Sequence, residues 1–316
     1  MTYDFHTHYP FFLQPGHIQL DAYRWLAGDI PNVPAAWREV DEVKDPVARL
    51  DLLAQAINTP YRDRARMGIR PHTGGYRRWV EQDAAAFLEK RLRLMRQLGI
   101  VPTLPDPAHL PPHAWALQLP FTLQKPYISR DDQLFHILDN PLKRERVFKV
   151  PYIAASQWKG ALRAAFRKIA RDTATEIRLF GNEKGEDEHF QSGFLHFFPT
   201  FFDRLGLEVL NPHDRKTNVG KRGPILFECV PVGAKGVIQL LYVPLSPSTA
   251  QAATASPTQT DLQATARALR AMLTQYGFGA KTSSGYGLAY AKAEDAILNP
   301  DAFKETFIKA WNQYHV

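Results

Sequence analysis

Between Val101 and His113 the chain carries Pro102, Pro105, Pro107, Pro111 and Pro112. Neither a helix interior nor a central strand tolerates that density, because each proline removes a main-chain donor and fixes φ. The run predicts a boundary, with residues 1–112 as an N-terminal extension and residues 113–316 as a second domain. Upstream, Phe87, Leu88, Leu92, Met95 and Leu98 predict a helix from about Val80 to Gly99, with Lys90, Arg91, Arg93 and Arg96 largely on its other side. Most of the remaining extension lacks periodicity and is rich in aromatic residues.

Downstream, Trp115, Leu117, Leu119, Phe121 and Leu123 alternate with other residues, the pattern of a half-buried strand. A helix is expected from Ser156, as N-cap, to about Arg171, burying Trp158, Leu162, Ala165, Phe166 and Ile169. Ile225–Val230 and Val237–Val243 read as strands joined in a hairpin through Pro231–Gly236. Residues 246–260, "SPSTAQAATASPTQT", read as a disordered linker. From Asp261, the spacing of Leu262, Ala266, Leu269, Leu273 and Tyr276 predicts a second helix, which Gly277 stops. Residues Tyr286–Tyr290 then alternate as a last strand. Strand, helix, two strands, helix, strand is the order of an α+β, ferredoxin-like (RRM-like) βαββαβ domain behind a mainly helical extension.

The chain has 316 residues and no apolar run near the eighteen or so needed to cross a bilayer, so a cytoplasmic protein without a membrane partner is expected. Its one cysteine, Cys229, excludes an internal disulfide and a cysteine zinc cluster. A formal net charge of +7 suits a polyanionic partner. That charge is uneven. Between Pro141 and Arg171 there are nine Lys or Arg and one acidic residue, Glu145. Lys159, Arg163, Arg167 and Arg171 recur every four residues, which predicts a cationic ridge on the helix opposite its apolar stripe. Arg215, Lys216, Lys221 and Arg222 form a second basic cluster in a Gly/Pro/Asn-rich loop.

The stretch "GFGAKTSSGYG", Gly277 to Gly287, looks superficially like a nucleotide-binding P-loop. Ala280 separates Gly279 from Lys281, however, and a helix precedes the loop where a P-loop requires a strand. It reads instead as a helix-to-strand turn whose glycines let main-chain N–H groups converge on an anion.

"VPYIAASQWKGALR" (Val150–Arg163), "RLFGNEKG" (Arg178–Gly185) and "GFGAKTSSGYG" resemble, in order and spacing, three landmarks of the RAMP superfamily, the ferredoxin-like RNA-binding subunits of type III CRISPR effector complexes. The resemblance covers about residues 115–292, and residues 211–243 are similar to the Cmr-type subunit that caps the guide's 3′ end. It implies an RNA-binding protein of antiviral defence whose partners are CRISPR guide RNA, target RNA and other effector subunits. The bare loop then lies against guide RNA, with Lys281, Thr282, Ser283 and Ser284 reaching phosphate or ribose oxygens. The N–H groups of Gly277, Gly279 and Gly285 would assist, Tyr286 would stack on a base or pack in the core, and Lys159 and Arg163 would contact the same strand.

Three chemical readings stand beside that one. Asp139, in "DNP", occupies the place of the catalytic aspartate of target-cutting RAMP subunits, with Asp131 and Asp132 as further candidates. An endoribonuclease of that kind would use magnesium or manganese, whereas RNA binding alone needs no cofactor. Processing of CRISPR-repeat RNA would use a histidine, with His136 and His213 the first to test. His6 and His8, in "FHTH", match the His-x-His that opens metal-dependent amidohydrolases, but the strand-helix alternation of a (β/α)₈ barrel does not follow.

Overall fold

A computed structural model of the chain describes Leu26 and residues 45–68, 75–109, 111–131, 136–182, 191–210, 225–244 and 255–314. Two structural units interleave in sequence, one built from residues 1–90, 130–143 and 204–229, the other from 91–129, 144–203 and 230–316. Segments from both sides of the proline run therefore enter each unit. Residues 246–254 of the expected linker lie outside the described residues.

In the first unit, helices run over Pro46–Leu52, Arg62–Met67 and Gly75–Arg78, the last continuing as a wider turn over Trp79–Asp83. Strands Gly206–Leu210 and Ile225–Cys229 pair antiparallel. Distant segments are joined here by the fully buried Glu228, which accepts hydrogen bonds from the Tyr76 hydroxyl and, at 2.8 Å, from the Leu142 N–H. A carboxylate is stable out of water only with such donors. His136 packs edge-on to Tyr76, with Nε2 3.7 Å from Glu228, and its Nδ1 accepts from the Leu138 N–H at 3.1 Å.

The second unit is ferredoxin-like. Its elements are β1 (Trp115–Leu123), α1 (Ala155–Ile169), α2 (Thr173–Phe180), β2 (Leu195–Phe197), β3 (Lys235–Tyr242), α3 (Ala255–Ala271), β4 (Ala289–Tyr290), β5 (Ile297–Asn299) and α4 (Lys304–Gln313). The antiparallel sheet runs β2-β3-β1-β4, with β5 also on β1. The β1/β3 register holds from Trp115 opposite Tyr242 to Thr122 opposite Lys235. Alternation sends Leu117, Leu119, Phe121, Ile238, Leu240 and Tyr242 into a core under α1 and α3, all of them buried. Trp115 stacks on Tyr242 at 5.2 Å, and Phe121, Trp158 and Phe278 meet edge-on or tilted within 6 Å. Among the described residues no helix is long and apolar enough to cross a membrane.

Several expectations need correction. Ile225–Cys229 does not form a hairpin with β3. The Pro231–Gly236 turn bonds instead to the end of β1, Gly233 N–H to Leu123 O and Leu123 N–H to Ala234 O, which hands β3 to β1. The second strand of the βαββαβ order is the short β2, where Phe197 stacks on Phe180. Residues 255–260 are helical rather than linker, with Thr258 buried, so α3 begins before Asp261 and Asp261 lies inside it. α1 starts after Ala154 with no side chain capping it, so Ser156 is not its N-cap, and it ends at Ile169.

α2 does have a side-chain cap. Asp172 accepts from the Thr175 N–H at 3.0 Å and the Thr175 hydroxyl at 2.6 Å, and these bonds hold its carboxyl below its ordinary value. Asp172→Ala is expected to cost about 1 kcal/mol in urea unfolding at neutral pH. Because the folded value is the depressed one, this stability is present above the unfolded value of 3.8 and disappears as pH falls through the folded value. Wild type and variant should therefore converge in acid.

Candidate nucleic-acid interface

The glycine-rich loop is held by its one large apolar residue. Phe278 is buried among Trp158, Phe121 and Tyr127, with ring centres 4.7, 5.8 and 5.8 Å away. Main-chain bonds fix the two ends. Gly277 N–H donates to Met272 O at 2.8 Å, Phe278 N–H to Gly287 O at 3.0 Å, Ala280 N–H to Ile128 O at 2.7 Å and Gly287 N–H to Pro126 O at 2.9 Å. Gly277 closes the helix as the sequence predicts, at φ +71°. Gly279 needs φ +92° and space besides, since a Cβ there would stand 2.6 Å from both Ile128 O and the Tyr127 ring.

The tip is differently made. Lys281 adopts a left-handed conformation, Thr282–Ser284 form one 3₁₀ turn and Gly285 closes it at φ +82°. The first N–H groups of such a turn have no partner within it. Lys281, Ser283 and Ser284 are exposed, while Thr282, Gly285 and Tyr286 are half-buried.

A cleft of about 380 Å³ separates this loop from α1. Gly277, Gly279 and Thr282 line one side, and Gly160, Ala161, Ala164 and Lys168 the other. A Cβ on Gly160 would meet nothing within 4 Å, so the packing of the chain does not account for a glycine there. Lys168 places its ammonium 4.3 Å from the centre of the Tyr276 ring, a cation-π contact that holds a positive charge at the cleft.

The predicted ridge does not face this cleft as a unit. Arg163 and Arg167 both bond Glu176 of α2, at 2.6 and 2.7 Å, so the neutralising acid missing from their own helix comes from the next one. Lys159 is half-buried, and desolvation followed by repulsion from Arg163 pulls its ammonium below its ordinary value. Lys159 in turn helps burial lower His196 on β2. Arg171 is exposed beyond the end of α1. Four residues spaced by four rotate about 40° at each step, so the row drifts around the helix while Lys168 falls on the Gly160 side. Sequence reasoning missed Lys168 and the small-residue face. The glycine inside an otherwise strong helix was the available signal.

The remaining candidates lie elsewhere. Asp139 belongs to the first unit, where Arg62 and Arg66 bind it at 3.1 and 3.0 Å. Asp131 is in the same unit, its N–H bonded to Pro141 O, and His136 is committed to the Glu228 network. Asp132, His213, His6, His8, Arg215, Lys216, Lys221 and Arg222 lie outside the described residues. Among the described residues no group of three or more His, Cys, Asp or Glu is placed to hold a metal ion.

The family model of the RAMP superfamily matches residues 72–290, which contain β1, α1, the loop and β4. The chain belongs to the RAMP superfamily. No curated protein matches the sequence. This RAMP chain is similar to a chain in the cryo-EM structure of the Type III-B Cmr-beta bound to cognate target RNA, at 14% identity and a TM-score of 0.41, over 69% of this chain and 66% of that one. A chain of a CRISPR RNA-guided surveillance complex is similar at 16% identity and a TM-score of 0.40, over 57% of this chain and 66% of that one. The RAMP chain thus spans just under two thirds of the length of each.

Proposed function

We propose that the chain is an RNA-holding subunit of a type III CRISPR interference complex that grips guide RNA, alone or paired with target RNA, by its sugar-phosphate backbone. Membership of the RAMP superfamily supports this reading. The observation that carries it is the cleft in which the Gly277–Thr282 main chain faces the bare Gly160–Ala164 side of α1, with Lys168 at hand and Lys281 exposed on the same loop. Gly277, Phe278 and Ala280 already spend their N–H groups on main-chain carbonyls, so a phosphate at this wall meets the first N–H groups of the Thr282–Ser284 turn, and two lysines supply charge without reading a base. Arg163 and Arg167, paired with Glu176, support the helix rather than the strand of RNA. The reading assigns no chemistry to Asp139, whose oxygens are engaged by two arginines.

Filling the cleft is the direct test. Gly160→Leu adds a side chain where the protein itself offers no obstacle and raises helix propensity, so thermal stability is expected to hold or rise. Retention of guide RNA by the purified complex is expected to fall at least about tenfold, and Lys168→Ala with Lys281→Ala is expected to make its salt dependence shallower. Unchanged retention by stably folded Gly160→Leu rejects the cleft as the RNA site.

A further inference from the structure

The face of the sheet turned away from α1 and α3 carries a second cleft, of about 590 Å³, in the same unit. Gln118 and Thr122 of β1 and Val237 and Gln239 of β3 lie on that face. Gln239 is 4% exposed, and its Nε2 has no hydrogen-bond partner among the described residues. Buried amides are ordinarily paired, so this donor points to an acceptor that the chain does not supply.

The remaining walls narrow the class of ligand. Phe201 lines the cleft with its ring stacked on Tyr152 at 5.9 Å, and Tyr290 lines it 49% exposed. Two flat apolar faces beside a buried donor suit a planar heterocycle with acceptors on its edge. Arg96, Lys235 and Lys292 border the cleft, and so do Asp203 and Asp295. Three cations against two carboxylates leave a field too weak for a run of phosphates but enough for one, and the carboxylates can accept from exocyclic amines or a 2′-hydroxyl.

We infer that this cleft takes one unstacked RNA nucleotide, its base against Phe201 or Tyr290, a base acceptor on the Gln239 amide and its phosphate on a bordering cation. The inference rests on the reading of the chain as an RNA-binding protein and adds a second contact, one that senses the base. The unstacked nucleotide comes from an unpaired strand, either guide or target, and not from a duplex.

Two measurements on the full chain test it. Saturation-transfer NMR with the four ribonucleoside 5′-monophosphates reads weak binding directly. A signal is expected with wild type, at an affinity about tenfold lower in Gln239→Leu and lower again in Tyr290→Ala, the latter a surface change that leaves the core intact. Photo-crosslinking of an RNA of about ten nucleotides carrying 4-thiouridine, followed by mass spectrometry, is expected to label the peptide containing Tyr290. The label should appear with the single strand and vanish when the RNA is annealed to its complement. No monophosphate signal, a signal indifferent to both substitutions, or equal labelling by duplex overturns the proposal. The loop cleft fails separately, if Gly160→Leu retains the short RNA as wild type does while the monophosphate signal persists.

Discussion

Arg178→Ala is expected to destabilise the protein by about 3–5 kcal/mol, the cost of stranding a buried charge. Arg178 sits on α2 in the "RLFG" stretch and grips Asp261 of α3, with Nε 2.8 Å from Oδ2 and Nη2 2.5 Å from Oδ1. Asp261 is fully buried and takes a further bond from the Tyr242 hydroxyl at 2.8 Å. One carboxylate thereby ties α2, α3 and β3 together. Removing the guanidinium leaves that negative charge with the Tyr242 hydroxyl as its one side-chain donor among the described residues. The double replacement Arg178→Met with Asp261→Leu is expected to recover much of the loss, because it removes both desolvated charges at roughly constant volume. Urea midpoints at neutral pH measure both. An Arg178→Ala midpoint within about 0.5 kcal/mol of wild type shows that water reaches Asp261 and that the pair does not anchor the helices.

This pair also marks what the sequence made legible and what it hid. β1 was readable because its apolar residues alternate over nine positions, and α1 because Trp158, Leu162, Ala165 and Phe166 share one stripe; both periodicities arise from burial against a single core. The order of elements was readable for the same reason. The identity of the second strand was not: β2 has three residues, too few for alternation to show, while Ile225–Cys229 reads as a better strand and pairs with Gly206–Leu210 instead. Asp261 read as a helix start because the apolar spacing begins at Leu262, straight after a polar stretch. Only the tertiary partner Arg178, far back in the sequence, explains an aspartate inside α3. The charge ridge shows the same limit. Spacing placed Lys159, Arg163 and Arg167 on one helix and wrongly extended it to Arg171, and Glu176, which neutralises two of these cations, lies on the next helix and outside any i,i+4 relation. The loop was legible as bare backbone. Its anchor Phe278 and its companion face at Gly160 required the fold.

Gly287→Ala should do the most damage of any single methyl group added to the loop. Gly287 holds φ +70°, in the left-handed region, and a Cβ there would overlap the carbonyl oxygen of Phe278, the residue its own carbonyl bonds. Either the Phe278–Gly287 pair opens or Phe278 leaves the aromatic cluster formed with Trp158, Phe121 and Tyr127. Together with the cost of left-handed alanine, the expected loss is about 2–4 kcal/mol, accompanied by loss of guide RNA retention because the loop no longer presents its main chain to the cleft. Gly285→Ala separates the two causes. Gly285 has φ +82° but nothing within 4 Å of an added Cβ, so only the conformational cost of about 1 kcal/mol applies. If both variants unfold at the same denaturant concentration, close packing of Phe278 against the Gly287 main chain does not hold the loop, and backbone conformation alone does.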